Sequence, residues 1–222
     1  IGMAKIGQRL GKDRLYAGMR LFGFGGKTGI ELLGEVPGLL RPPREWTGYS
    51  VTRIPFGQEI CVTGMQLVRA FCILANGGRL VRPFMVRAIV QADGKITELN
   101  QPSPPVGYII KPQVAEWIVK DVLVRVVTEG TGKRAQPKNK TWKLFGKTGT
   151  ASIARSDAKG YSESDYVASF IAGAPADDPA IVVLVSIRKP NRALGKGYTG
   201  GVVAAPVAAR IIERTLNYLG VR

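Results

Sequence analysis

The sequence contains no histidine and only two cysteines, Cys61 and Cys72. Without histidine, any Ser-His-Asp or Cys-His mechanism confined to this chain is excluded. A disulfide-stapled secreted domain of this size usually holds more cysteines, and no CxxC or Cys/His spacing predicts a zinc site. We therefore expect neither a disulfide framework nor a metal centre.

The chain also lacks an apolar run long enough to cross a membrane. The first ten residues include Lys5, Gln8 and Arg9, so they form neither a signal peptide nor an anchor. There is no initiator methionine, and the chain begins inside a predicted helix. We therefore expect it to be a piece of a longer protein.

Acidic residues are scarce, with 16 Asp and Glu against 32 Lys and Arg and a formal net charge of +16. Such an excess can attract nucleic acid, anionic lipid or an anionic cell-wall polymer. The basic residues are scattered, however, and form no stripe with interleaved aromatic residues. A generally basic surface is the favoured interpretation, and a salt-dependent binding assay would test the nucleic-acid alternative.

The first half of the chain predicts helices separated by glycine- and proline-rich segments. Residues 1–22 predict two short helices broken at Gly11, and residues 34–58 predict a long ordered loop. Thr63 and Gln66 form a predicted capping box, and the helix that follows ends at a pair of glycines. The turn at Asp93-Gly94 predicts a β-hairpin.

A further helix is predicted over residues 112–128. Its expected apolar side consists of Val114, Trp117, Ile118, Val122 and Val126.

The second half predicts strands at residues 142–151, 166–172 and 181–187, which we expect to be antiparallel neighbours. Residues 181–185 are all apolar, which predicts a central strand buried on both sides. A last helix is predicted over residues 204–219, with apolar Val207, Ile211, Ile212, Leu216 and Leu219. Together these elements predict an α+β fold, an antiparallel sheet covered by helices.

The strongest chemical signal is Lys147-Thr148-Gly149-Thr150, on the first of these strands. The ammonium supplies positive potential, the hydroxyls can bind a carboxylate, and Gly149 permits the close approach of a substrate backbone. A bare four-residue match also fits an ordinary edge strand with alternating polar residues. The surrounding sequence decides between the two interpretations.

Further segments on both sides of this motif carry the resemblance to a known family, and they occur in that family's order. They are Phe22-Gly23-Phe24-Gly25, Thr28-Gly29-Ile30, Gly34-Glu35, Phe56-Gly57, Ala75-Asn76-Gly77-Gly78, Tyr166-Val167-Ala168-Ser169-Phe170, Ala174-Pro175 and Gly200-Gly201. With these segments the chain resembles the class B penicillin-binding proteins, the peptidoglycan D,D-transpeptidases, over nearly its whole length. Ala168-Ser169-Phe170 is similar to the division-type members. The resemblance implies the fold shared by penicillin-binding proteins and serine β-lactamases.

The chain also departs from the family's pattern. The family's nucleophile lies in Ser-x-x-Lys and its second motif is Ser-x-Asn, and both precede the segments matched here. Lys147-Thr148-Gly149-Thr150 matches the family's third motif. Ser156 to Lys159 is a Ser-x-x-Lys string, but it follows the third motif and is interpreted as accidental. We therefore expect residues 1–222 to be the C-terminal portion of one transpeptidase domain, inactive alone. Glu59 stands where the family usually has glycine, and Gly64 where it usually has proline.

The resemblance implies roles for the third-motif residues in acyl transfer from D-Ala-D-Ala peptides by a serine nucleophile elsewhere in the parent protein. Lys147 and Thr150 would be catalytic: Lys147 orients the second-motif serine, and the Thr150 N–H is an oxyanion donor. The hydroxyls of Thr148 and Thr150, with Gly149 between them, would bind the terminal carboxylate of the peptide or of a β-lactam. No cofactor is implied.

The implied partners are peptidoglycan stem peptides, β-lactams, and cell-division or cell-wall synthesis proteins that bind the parent, without nucleic acid. The implied location is the outer face of the bacterial cytoplasmic membrane, with the membrane anchor in an N-terminal part. A non-catalytic cell-wall scaffold and a serine β-lactamase-like hydrolase remain alternatives. Hydrolysis is disfavoured because Ile96 occupies the position where the class A β-lactamase loop carries its glutamate.

Overall fold

The computed structural model describes residues 1–101, 106–137, 141–155, 157, 160–195 and 197–221. The chain divides into two compact units, one formed by Ile1–Ile73 with Gly78–Ile110 and the other by Leu74–Gly77 with Lys111–Arg222. Helices combine with antiparallel strands, which confirms the predicted α+β class. Within the described ranges, no helix is both long and apolar enough to cross a bilayer.

The first unit begins with helix α1, Gly2–Leu21, which is kinked where the break was predicted. Gly11 has φ 73° and ψ 167°, a conformation that glycine adopts readily because it has no Cβ. The predicted loop over residues 34–58 is more structured than expected. It contains helix α2, Ser50–Arg53, and two short 3-10 turns, Pro43–Glu45 and Ile54–Phe56.

The predicted capping box is present at the start of helix α3, Gly64–Ala75. The Thr63 N–H donates to Gln66 Oε1 at 2.9 Å, and the Gln66 N–H donates to Thr63 Oγ1 at 3.1 Å. The buried Gln66 amide also donates to the carbonyls of Gly26 and Pro37, both at 2.8 Å. The cap therefore also fastens the glycine-rich segment that precedes it in sequence.

The Glu35 carboxylate also binds the glycine-rich segment, at Thr28 and Gly29. The Thr28 N–H and hydroxyl both donate to Glu35 Oε1, at 2.7 and 2.5 Å, and the Gly29 N–H donates to Glu35 Oε2 at 3.1 Å. The Thr28 hydroxyl, followed by the two backbone donors, lowers the pKa of Glu35 below its ordinary value of 4.5. Two of the sequence segments that carry the family resemblance thus meet in space.

Glu59 lies in the left-handed region, with φ 60°. Such a conformation favours glycine, which is what the family usually has at this position. Here the carboxylate accepts a hydrogen bond from the buried Ser50 hydroxyl at 2.5 Å and lies 3.5 Å from the Arg53 guanidinium. These contacts hold the side chain against the unfavourable backbone.

Two small antiparallel sheets complete this unit. Strand β1, Arg79–Leu80, pairs with β4, Val106–Tyr108, and β2, Ala88–Val90, pairs with β3, Ile96–Glu98. The second pair is the predicted hairpin around Asp93-Gly94.

The second unit opens with a helical segment that has the predicted bounds. Helix α4, Pro112–Trp117, continues through a π-helical turn, Ile118–Leu123, into helix α5, Val124–Thr128.

The predicted apolar side of this segment is wrong. Val114, Trp117 and Val122 are exposed, while Ile118 and Val126 are half-buried. The buried residues are Ala115, Val119, Leu123 and Val127. A four-residue spacing drifts by roughly 40° per step in an α-helix. The π turn takes in extra residues and so brings the four side chains back to one side, which helical periodicity alone does not predict.

The main sheet consists of β5, Phe145–Ala154, β6, Tyr161–Ala174, and β7, Ile181–Arg188, in the order β5-β6-β7. Both neighbouring pairs are antiparallel, as predicted. The centre was predicted wrongly, because β6 and not β7 is the middle strand of the described sheet. Residues 181–185 are accordingly only half-buried.

Helix α7, Ala205–Tyr218, packs on one face of this sheet, as predicted. A short helix that was not predicted, α6, Gly200–Val203, precedes it and contacts β5 and β6. The buried side of α7 consists of Ala205, Ala208, Ala209, Ile212 and Leu216. Ile211 and Leu219 were predicted to lie on it but are 41% and 54% exposed. Three alanines allow the helix to approach Phe170 and Ala172 of β6 closely, so the contact depends on small residues that hydrophobicity ranks low.

Candidate active site

Strand β5 carries all four residues of the Lys147–Thr150 motif and forms one edge of the described sheet. Its register against β6 pairs Lys147 with Ile171, Thr148 with Phe170, Gly149 with Ser169, and Thr150 with Ala168. Since side chains alternate along a strand, Thr148 and Thr150 lie on one face and Lys147 on the other.

Two glycine–phenylalanine contacts fix this register. Gly173 lies opposite Phe145, and a Cβ on Gly173 would overlap the phenyl ring. A Cβ on Gly146 would come within 2.8 Å of Phe170 Cζ. Both rings are fully buried, so a shift of one residue would cost their packing.

The Lys147 side chain is exposed, and its ammonium donates to the Thr148 carbonyl oxygen at 2.9 Å. This hydrogen bond uses one of the three ammonium protons and leaves the others available to a further acceptor. The positive charge of Lys147 therefore lies at the motif, next to the Thr148 carbonyl oxygen.

Thr148 Oγ1 lies 2.7 Å from Thr131 Oγ1. Thr131 belongs to the loop that follows α5, and the sequence interpretation assigned no role to it. The signal that could have found it is Gly130-Thr131-Gly132, a threonine between two residues that permit tight backbone contacts.

Thr150 Oγ1 accepts a hydrogen bond from the Gly200 N–H at 3.2 Å. Gly200 begins α6, so a backbone donor from the start of this helix stands behind the motif. A Cβ on Gly200 would overlap the Ser169 carbonyl oxygen and lie 2.5 Å from the carbonyl oxygen of Gly149. Glycine at position 200 is therefore required for this contact.

Gly149 also has a packing reason to be glycine. A Cβ at this position would lie 2.5 Å from the Ser169 hydroxyl oxygen on the neighbouring strand. The predicted reason, close approach of a substrate backbone, is separate from this packing contact and stays a prediction.

An aromatic contact anchors the loop before α6. Tyr198 stacks on Tyr166 of β6, with ring centroids 4.6 Å apart, and the Arg192 guanidinium lies 4.5 Å from the Tyr198 centroid. Tyr166 is the cross-strand partner of Ser152, two residues beyond Thr150. The stack therefore holds the residues just before Gly200 close to strand β5.

The arrangement offers two hydroxyls and an ammonium on an edge strand, a set suited to binding a carboxylate. Among the residues that the structure describes, no group of His, Cys, Asp and Glu could hold a metal ion. Ser156 and Lys159, the ends of the Ser-x-x-Lys string interpreted as accidental, lie outside the described residues.

The chain is similar to known proteins in sequence and in fold. Residues 1–213 match the family described as the penicillin binding protein transpeptidase domain. Stage V sporulation protein D of Bacillus subtilis is 37% identical over 221 residues, covering 100% of this chain and 33% of its own length. PbpB of Mycolicibacterium smegmatis is 32% identical, covering 98% of this chain and 34% of its own length.

The solved structures similar to this chain are also penicillin-binding proteins. Penicillin-binding protein 3 of Mycobacterium tuberculosis, complexed with aztreonam, superposes with a TM-score of 0.88 at 30% identity. The match covers 100% of this chain and 49% of that one. The transpeptidase domain of Burkholderia pseudomallei penicillin-binding protein 3 has a TM-score of 0.82 at 28% identity, covering 99% and 61% of the two chains.

The chain therefore belongs to the penicillin-binding protein transpeptidase family. It spans about a third of the length of the curated relatives it matches.

Proposed function

We propose that this chain is the C-terminal portion of the transpeptidase domain of a serine peptidoglycan D,D-transpeptidase. The reaction is acyl transfer from D-Ala-D-Ala peptides, with the nucleophilic serine supplied by sequence N-terminal to residue 1. The activity is proposed for that longer protein, called the complete enzyme below, since the chain spans only part of its relatives.

The hydrogen bond from Gly200 to Thr150 is the observation that carries the proposal. Thr150 Oγ1 accepts from the Gly200 N–H, so the hydroxyl proton of Thr150 is free to point outward. An outward O–H on the strand that also carries the Lys147 ammonium is a donor for an anion, and the terminal carboxylate of a stem peptide is such an anion. An ordinary edge strand has no need of a backbone donor behind its hydroxyl.

The remaining roles follow from the same strand. Lys147 orients the serine of a Ser-x-Asn motif and keeps the site electropositive. The backbone N–H of Thr150 donates to the oxyanion of the tetrahedral intermediate, while Thr148 and Thr150 bind the carboxylate across Gly149. The substrate cleft runs along residues 147–150.

Anionic β-lactams are the proposed inhibitors. The structures of the M. tuberculosis relative in complex with aztreonam and with ampicillin support this class. The proposed setting is the outer face of the cytoplasmic membrane, within a cell-wall synthesis or division complex. A relative named as a probable peptidoglycan D,D-transpeptidase supports the role in cell-wall synthesis.

Thr150→Val and Lys147→Ala in the complete enzyme test the proposal. Valine keeps the shape and the backbone N–H but removes the hydroxyl. A hydrogen bond to a charged group contributes about 1.5–3 kcal/mol, so acylation by benzylpenicillin should slow roughly 10- to 150-fold. Lys147→Ala should slow it further, because it removes a charge and leaves the neighbouring serine without its partner.

The measurement is the second-order acylation constant, taken beside the melting temperature of each variant. If both variants fold and react at the unmodified rate, the site assignment is wrong. Rapid release of the acyl group by the unmodified enzyme would instead favour a β-lactamase-like hydrolase.

A further inference from the structure

We infer that Thr131 is a positioning residue for carboxylate recognition, acting through the hydroxyl of Thr148. The inference rests on the proposed function and adds a residue from outside the Lys147–Thr150 motif. Its basis is the distance of 2.7 Å between Thr131 Oγ1 and Thr148 Oγ1.

In a pair of hydroxyls this close, one hydroxyl donates its proton to the oxygen of the other. The second hydroxyl keeps its own proton for another acceptor. If Thr131 donates to Thr148, the proton of Thr148 is free to point at a ligand. If Thr148 donates to Thr131, that proton is used within the protein. A bound carboxylate favours the first arrangement, because its charge attracts the free Thr148 proton.

The first arrangement repeats the geometry of the neighbouring threonine. Thr150 accepts from the Gly200 N–H and Thr148 accepts from the Thr131 hydroxyl, so each threonine has a donor behind it. The difference is that the Gly200 N–H can only donate, whereas the Thr131 hydroxyl can donate or accept. Thr131 therefore supplies a donor that responds to the ligand.

Backbone contacts on both sides hold Thr131 in place. The Gly130 N–H donates to the Arg125 carbonyl at 2.9 Å, and the Gly132 N–H donates to the Val126 carbonyl at 2.8 Å. On the other side, a Cβ on Gly201 would overlap the Thr131 carbonyl oxygen. The loop is thus fixed between α5 and the start of α6.

The π-helical turn sets the direction from which this loop arrives. It precedes α5 directly, and α5 ends three residues before Thr131. The turn also keeps Val119, Leu123 and Val127 buried together, which fixes the rotation of α5. The buried side of the helix and the position of Thr131 are therefore set by the same irregularity.

The test compares acylation of the complete enzyme by benzylpenicillin and by its methyl ester, which lacks the anion. The preference for the acid over the ester reports carboxylate recognition and not general damage to the site. Thr131→Val removes the hydroxyl and keeps the shape. It should reduce the preference about 2- to 10-fold, the range for one neutral hydrogen bond, and leave the ester rate unchanged.

Three further variants sharpen the result. Thr131→Ser should restore most of the preference, because it returns the hydroxyl. Thr128→Val is the matched control, because the Thr128 hydroxyl donates to the Val124 carbonyl at 3.2 Å within its own helix. Adding Thr131→Val to Thr148→Val should have little further effect, because Thr131 acts through the hydroxyl that is already lost.

The two proposals fail in different ways. If Thr148→Val lowers the preference and folded Thr131→Val does not, the role of Thr131 is overturned and the proposed function stands. Additive effects of the two substitutions would also overturn it. If Thr131→Val does not fold, Thr131→Ala carries the same expectation. Absence of acylation of the unmodified complete enzyme overturns the proposed function and this inference together.

Discussion

The Gly200 N–H reaches the Thr150 hydroxyl across 50 residues of sequence, at 3.2 Å. The motif strand thus depends on the start of a helix that follows two further strands and a loop. Its chemistry is a property of the packed unit, and changes at Gly200 should act on Thr150.

Gly200→Ala should weaken both folding and reaction. The new methyl group would overlap the Ser169 carbonyl and press on Gly149, and overpacking of this kind costs about 1–3 kcal/mol. The expected result is a lower melting temperature and slower acylation of the complete enzyme. Gly18→Ala is the control, since a Cβ at Gly18 has open space and the helix gains about 0.5–1 kcal/mol. Acylation at the unmodified rate in folded Gly200→Ala would contradict the dependence.

Residues 1–222 on their own should not be labelled by a fluorescent penicillin. No Ser-x-x-Lys precedes the third motif, so the chain lacks a serine in the position that the family uses. The measurement is a gel band at 23.9 kDa, with the complete enzyme as the positive control. A labelled band that Ser156→Ala abolishes would show that the string from Ser156 to Lys159 is not accidental.

The hydrogen bonds to Glu35 should make folding sensitive to acid. The pKa of Glu35 is lowered in the folded state, so its carboxylate stabilises the fold above the unfolded-state pKa. That contribution is lost as the pH falls below about 4.5 and passes through the folded-state value. Glu35→Gln should therefore lower the melting temperature at pH 7. It should also reduce the difference between the melting temperatures at roughly pH 7 and pH 3.

Thr28→Val provides a second view of the same contact. The Thr28 hydroxyl is the largest cause of the lowered Glu35 pKa. Thr28→Val should therefore reduce part of the difference between the melting temperatures at neutral and acid pH. If the melting temperature of both variants changes with pH as much as that of the unmodified protein, other carboxylates dominate the loss of stability in acid.

The left-handed backbone at Glu59 should be measurable by comparing two substitutions. Glu59→Ala removes the contacts with Ser50 and Arg53 and keeps the unfavourable conformation, whereas Glu59→Gly removes both. A left-handed L-residue costs about 1–2 kcal/mol, and the flexible unfolded chain of glycine offsets part of the gain. The glycine variant should therefore be more stable than the alanine variant by about 1 kcal/mol in urea unfolding. Equal stabilities would place the backbone strain elsewhere.

Features with a local physical cause could be predicted from the sequence. The kink at Gly11, the capping box at Thr63 and the antiparallel pairing of the three main strands depend on residues close in the chain or on an alternating pattern. The Lys147–Thr150 motif was found because its neighbours carry the family's order.

Features that depend on packing were not predictable in this way. The buried side of α7 consists largely of alanines, and that of the segment around the π turn departs from helical periodicity. Thr131 was missed for a similar reason, since its role appears only when the loop after α5 meets β5. The Gly130-Thr131-Gly132 pattern marks a tight turn, but it does not say which strand that turn meets.

The contacts of Phe145 with Gly173 and of Gly146 with Phe170 have a consequence beyond stability. A strand slipped by one residue would turn Thr148 and Thr150 to the opposite face and put Lys147 and Gly149 in their place. Neither Thr131 nor Gly200 would then find a hydroxyl, although every residue of the motif would still be present. Two fully buried aromatic rings thus set the alignment of the motif with its hydrogen-bonding partners.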